Sequence, residues 1–126
     1  MFTNFKIDQS ATFAGVAFLS CEPKLPFRSE VQETTKDGVP RWVVQVVAMF
    51  KTPFGMQNEV LKIGVASQRN PGQGLMPYTP IAFKDFEVGV MEKTKKDKDT
   101  GEERVIGLQV WYRAAGIQAN TDTKAA

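Results

Sequence analysis

Nine residues from Trp42 to Phe50, Trp-Val-Val-Gln-Val-Val-Ala-Met-Phe, carry β-branched and aromatic side chains almost without interruption. A Gly38-Val39-Pro40 turn opens this run and Lys51-Thr52-Pro53 closes it, which is the signature of a long central strand. Successive side chains on a strand point to opposite faces. Trp42, Val44, Val46, Ala48 and Phe50 therefore share one side, which is uniformly apolar and is the expected core. Arg41, Val43, Gln45, Val47 and Met49 share the other, where a guanidinium and an amide stand beside apolar stems. Such a surface either holds a flexible polyanion or is half covered by a loop.

With 126 residues the chain is long enough for one domain with its own core. The expected division is a single domain over 1–117, with 1–11 an N-terminal arm or edge strand and 118–126 a flexible tail. One cysteine, Cys21, rules out an internal disulfide framework, and the absence of histidine removes the common zinc sites and the usual general base. No cofactor or metal is expected. There is no leader-like start and no apolar run approaching the roughly 20 residues that cross a bilayer, so the expected location is cytoplasmic. Sixteen basic against fourteen acidic residues leave a net charge of +2, a weak bias toward an anionic partner.

Around the central strand, Thr12 to Glu22 reads as a first strand, with Phe13, Ala17 and Leu19 on one face and Val16 and Phe18 on the other. Gly15 marks a bulge or bend of the kind that curls a sheet. Pro23 to Pro40 is a long polar connection. Lys51 to Gly55 is a turn, and Asn58 to Ala66 a hairpin partner with Leu61, Ile63 and Val65 inward. Ser67 to Pro80 is too rich in proline and glycine for a helix of any length. Ile81 to Glu92 reads as a fourth strand, with Phe86, Val88 and Val90 on one face. Lys93 to Glu103 is an exposed hairpin tip. Arg104 to Ala114 is a fifth strand, with Ile106, Leu108, Val110 and Tyr112 facing one way and Gln109, Trp111 and Arg113 the other. Five strands with little helix define an all-β fold, a five-stranded OB-like barrel with long loops; a β-sandwich is the alternative.

The run Thr35-Lys36-Asp37-Gly38-Val39-Pro40-Arg41-Trp42-Val43-Val44-Gln45-Val46 resembles a group of small proteins of actinobacterial plasmids and integrative elements, the plasmid replication, integration and excision activators. In these a Thr-Lys-Asp-type loop leads through a Gly-x-Pro turn into a Trp-containing strand. A Lys-bearing hairpin strand, a Pro-rich stretch with a phenylalanine strand and a closing aromatic-Arg-Ala-x-Gly run follow. Their counterparts here are Val60 to Val65, Leu75 to Phe86, and Trp111-Tyr112-Arg113-Ala114-Ala115-Gly116, so the similarity spans roughly residues 10 to 117. The resemblance implies an accessory protein of phage or mobile-element DNA replication and carries over no active-site residue.

Catalysis has little support in the residues. Cys21 lies in a strand, where a cysteine is usually a small buried hydrophobe. Asp85 and Glu87, two apart on a strand, would share a face as paired carboxylates or a magnesium site, but such pairs are more often solvated. Gly72-Gln73-Gly74 opens no helix and is no nucleotide fingerprint. No enzyme is expected.

Binding of single-stranded DNA needs cations along the phosphates and flat rings for the bases. Outward positions supply both: Arg41, Gln45, Lys62, Gln109, Trp111 and Arg113 on strands, and Lys93, Lys95, Lys96 and Lys98 in the last hairpin. That hairpin, from Glu92 to Arg104, holds five positive and five negative charges, so its net field cancels. Phe54 and Tyr78 are possible base platforms in loops, while Trp42 is expected in the core. A bulge at Gly107 would reverse the pattern, burying Trp111 and exposing Tyr112.

Sequence-independent single-stranded DNA binding is thus the expected function, with replication or transfer proteins as further partners. The alternative is a protein-interaction module that docks on a helicase, relaxase or polymerase through Val43, Val47 and Met49. A structural β protein forming an ordered oligomer is the third reading, and a homo-oligomer is compatible with all of them.

Overall fold

The computed structural model describes residues 2–120. Eight strands are present: β1 (Phe2–Lys6), β2 (Gly15–Pro23), β3 (Arg41–Thr52), β4 (Gly55–Ala66), β5 (Ile81–Lys84), β6 (Glu87–Lys96), β7 (Glu103–Ala114) and β8 (Gly116–Ala119), with one short helix, α1 (Gln9–Thr12). Six of them form one sheet in the order β1-β6-β7-β4-β3-β2, and β5 and β8 form a second, two-stranded one. The fold is mostly β, with a curled, half-open six-stranded sheet in an OB-like arrangement. No helix among the described residues is long and apolar enough to cross a membrane.

The central run behaves as its alternation requires. Val44, Val46 and Ala48 on β3 are fully buried, and across the β3–β4 ladder they face Ile63, Leu61 and Glu59. Leu61, Ile63 and Val65 are buried as expected, and Val16 and Phe18 of β2, Ile81, Phe86 and Ala114 complete the core. Phe83, Phe86 and Tyr112 stack over its open end, with centroids 4.6 Å apart for the first pair and 6.0 Å for the second. The Trp42 indole, expected in the core, lies instead at the end of the core row, half-buried, its Nε1–H donating to the Ser67 carbonyl at 2.9 Å.

Several boundaries differ from the sequence expectation for local reasons. The fourth strand is two strands, because Asp85 adopts a left-handed conformation (φ 50°) that no strand continues through. Asp85 and Glu87 therefore do not share a strand face. Gly15 opens β2 rather than bending it; the irregularity falls between Phe18 and Ser20. β6 runs on through Lys96, so Lys93, Lys95 and Lys96 are strand residues rather than loop residues. The bulge on the last hairpin lies between Lys93 and Thr94, opposite Ile106, on the tip side of Gly107. Trp111 and Tyr112 thus keep the faces expected of them.

The extra strands come from pairings distant in sequence. β1 is an edge strand on β6. β8 pairs with β5 through Ala82–Gln118 and Ile81–Ala119, so the first residues of the expected tail are in strand. The rest of that tail, 121–126, lies outside the described residues.

Candidate functional site

β4 and β7 run parallel but pair over only three residues, Ile63–Tyr112, Gly64–Arg113 and Val65–Ala114. Toward their hairpin tips the two strands diverge, and the outer face of the sheet opens into a cleft of about 660 Å³. Arg41, Lys62, Gln109, Trp111 and Arg113 all line it, although they come from three strands spread over more than seventy positions of the chain. Gly64, half-way along the parallel pair, adds no side chain to the floor.

The seat of Trp111 explains a glycine. Gly89 stands directly across the β6–β7 ladder from Trp111, and a Cβ at position 89 would run into Cε2, Nε1 and Cζ2 of the indole. The ring lies over the bare backbone of β6, half-buried and on the outer face.

The two arginines are already engaged. Arg113 Nε donates to Glu87 Oε2 at 2.6 Å. Arg41 Nη1 lies 3.5 Å from Glu33 Oε1, which also takes Lys24 Nζ at 3.8 Å. This binds the 24–40 connection to the start of β3, together with Arg41 N–H to the Glu33 carbonyl at 2.8 Å and Gln32 Nε2 to the Arg41 carbonyl at 2.8 Å. Arg41 Nε is enclosed and has no hydrogen-bond partner. Lys62 makes no ion pair among the described residues and is exposed.

Charge is sorted by face across the whole sheet. Strand pairing puts Lys6, Arg41, Lys51, Lys62, Lys93, Lys95, Arg104 and Arg113 on the outer face, with Glu22 and Glu87 as the acids there. Glu59, Glu92, Glu103 and Lys96 fall on the inner face. A chain of nearly neutral net charge thus presents a cationic surface on one side, which composition alone hides.

The remaining expected residues sit apart from the cleft. Gln45 is on the same outer face, directly across from Lys62. Lys93 and Lys95 continue that face outward along β6, whereas Lys96 points to the other and Lys98 is in the turn. None of the four lines the cleft. Phe54, 93% exposed, caps the β3–β4 hairpin, and Tyr78, 75% exposed, stands beside β2; neither reaches the cleft.

Lys24, Thr35, Trp42 and Val43 line the cleft without having been expected there. Trp42 and Val43 adjoin Arg41, a signal that was readable. Lys24 arrives only because its N–H donates to the Arg41 carbonyl at 3.0 Å, a pairing with no local signature.

Cys21 packs against the core, and burial pushes its thiol up from the ordinary value. Gly72 is explained by packing: a Cβ there would stand 2.7 Å from Cys21 Cβ and 2.8 Å from the Phe18 ring. Among the described residues no cluster of three or more His, Cys, Asp or Glu side chains could hold a metal. No protein-family model matches the chain. No curated protein matches it either.

Proposed function

We infer that the protein binds single-stranded DNA without enzymatic activity and with little sequence preference, through an OB-like domain. The observation that carries this reading is the convergence of Arg41, Lys62, Gln109, Trp111 and Arg113 on one cleft of a cationic face. Phosphates would be drawn by the outer-face cations, and a base would stack on the exposed part of the Trp111 indole, worth about 1–3 kcal/mol per base. Gln109, the unpartnered Arg41 Nε and the exposed Lys62 offer donors to phosphate or sugar oxygens. Because Glu87 and Glu33 hold the two guanidiniums, bound phosphate must displace a carboxylate at each, which keeps affinity moderate. A role as accessory to phage or mobile-element replication rests on the motif resemblance alone.

Fluorescence anisotropy with labelled oligo-dT tests the reading. Binding should weaken steeply as salt rises, because captured phosphates release counterions. Trp111→Ala should lose about 1–3 kcal/mol, and Lys62→Glu should flatten the salt dependence. An absence of binding at low salt, or binding indifferent to salt, would overturn it.

One observation favours a second reading, docking on a replication or transfer protein. Beyond the cleft the same outer face turns apolar toward the β3–β4 tip, through Val43, Val47 and the exposed Met49, Val60 and Met56. A Val47→Asp, Met49→Asp variant that keeps full DNA affinity but fails to support replication would separate this role from the first.

A further inference from the structure

The six-stranded sheet presents four stretches of strand edge. A bare edge is a template for pairing with another chain, and proteins blunt it with charge, brevity, proline or cover. Three of the four are blunted here. The edge of β2 is covered: Tyr78 N–H donates to the Phe18 carbonyl at 2.6 Å, Phe18 N–H to the Thr79 carbonyl at 2.8 Å, and Ala17 bridges Pro80. β1 is only five residues long and ends in Lys6. The diverging part of β4 carries Gln57, Asn58, Glu59 and Lys62.

The edge of β7 has no such protection. Its pairing with β4 covers only Tyr112 to Ala114, so from Glu103 to Val110 it pairs with no second strand among the described residues. From Val105 to Tyr112 it contains neither charge nor proline. Val105, Ile106, Leu108 and Val110 are 59, 60, 61 and 47% exposed, and the bulge at Ile106 is the one interruption.

We propose that this edge is the site of a two-fold contact with a second copy of the chain, the two β7 strands running antiparallel. The strand is chemically polarised, which favours a copy of itself as occupant. Its start is net acidic, with Glu102 and Glu103 against Arg104, and its end carries Arg113. Antiparallel pairing sets the acidic start of each strand beside the basic end of the other, whereas parallel pairing would oppose like charges. A two-fold contact closes on itself, so assembly stops at two. The apolar side chains of the two inner faces merge into one strip and leave water. Both outer faces stay on the same side of the extended sheet, so the two clefts open in one direction; this consequence alone rests on the DNA-binding reading.

Sedimentation equilibrium of the full chain without nucleic acid tests the contact independently of any DNA result. The wild type should approach twice the monomer mass with rising concentration. Val105→Lys combined with Leu108→Lys, both at exposed positions, should raise the dimer dissociation constant at least about tenfold through like charges placed opposite one another. Should that variant fail to fold, Leu108→Cys in a Cys21→Ser background gives a second readout. It should form a covalent dimer on mild oxidation, while Val60→Cys in the same background, on the charged β4 edge, should not. A wild type that stays monomeric at the highest concentration, open-ended growth beyond the dimer, a dimer indifferent to the lysines, or equal cross-linking at both cysteine positions overturns the proposal.

Discussion

Ile63 and Leu108 occupy comparable places in the chain. Each sits mid-strand, on the inner face, within an alternating run of aliphatic residues. Yet Ile63 is 0% exposed and Leu108 is 61% exposed. Around Ile63 the sheet is continuous from β2 to β1, and Phe86, Phe83 and Ile81 close over it. Around Leu108 there are two strands alone, since β1 reaches β6 only as far as Met91 and β4 has already turned away. Alternation in a sequence says which residues share a face. Whether anything covers that face is decided by strands that arrive from elsewhere.

The contrast between the packed base and the bare ribbon is breakable. Ile63→Ala should cost about 2–5 kcal/mol of unfolding free energy by leaving a cavity where no neighbour can collapse. Leu108→Ala, measured in urea where the chain is monomeric, should change stability by less than about 0.5 kcal/mol. Similar costs at the two positions would mean that the ribbon is packed in solution and that the contrast is wrong.

A smaller effect probes the boundary between the two regions. Gly89→Ala places a methyl group where the Trp111 indole lies, so the ring must move; overpacking of this kind costs about 1–3 kcal/mol. Tm should drop and the indole emission should shift together. Unchanged emission would show that the ring does not rest on Gly89.

The smallest effect belongs to the base. The Asp8 carboxylate accepts from Ser10 Oγ at 2.8 Å and from the N–H groups of Ser10 and Ala11, capping α1. The hydroxyl of Ser10 first, then the Ala11 N–H, hold its carboxyl below the ordinary carboxylate value. A depressed folded-state pKa adds stability above the unfolded value of about 3.9, lost as pH falls through the folded one. Asp8→Ala should therefore lower Tm slightly at neutral pH, with the gap to wild type closing in acid. A gap that widens below pH 4 would contradict the cap.

What the chain discloses in advance follows the same division. The β3 and β4 alternations identify Val44, Val46, Ala48, Leu61, Ile63 and Val65 because both strands lie in the covered part of the sheet. Ile106, Leu108 and Val110 share the same signal without the cover. The break at Asp85 was hidden because a left-handed aspartate looks like any other aspartate in sequence. Arg41, Lys62, Gln109, Trp111 and Arg113 were readable as outward residues by parity. Lys24 was not, since a backbone pairing with Arg41 brings it there. The division of lysines between the two sides of β6 became visible only once Lys93 to Lys96 proved to be strand.

The two residues between β5 and β6, Asp85 and Phe86, make the shortest link between strands of different sheets. One residue inserted there would slide β5 along β8 by one position, turning Ile81 from the interior toward solvent. The connection from Lys24 to Pro40, by contrast, has slack in its exposed middle at Phe27 and Arg28. Length variation among natural or engineered versions of this chain should accordingly collect in that longer connection, and the Asp85 step should keep its spacing even where its identity drifts.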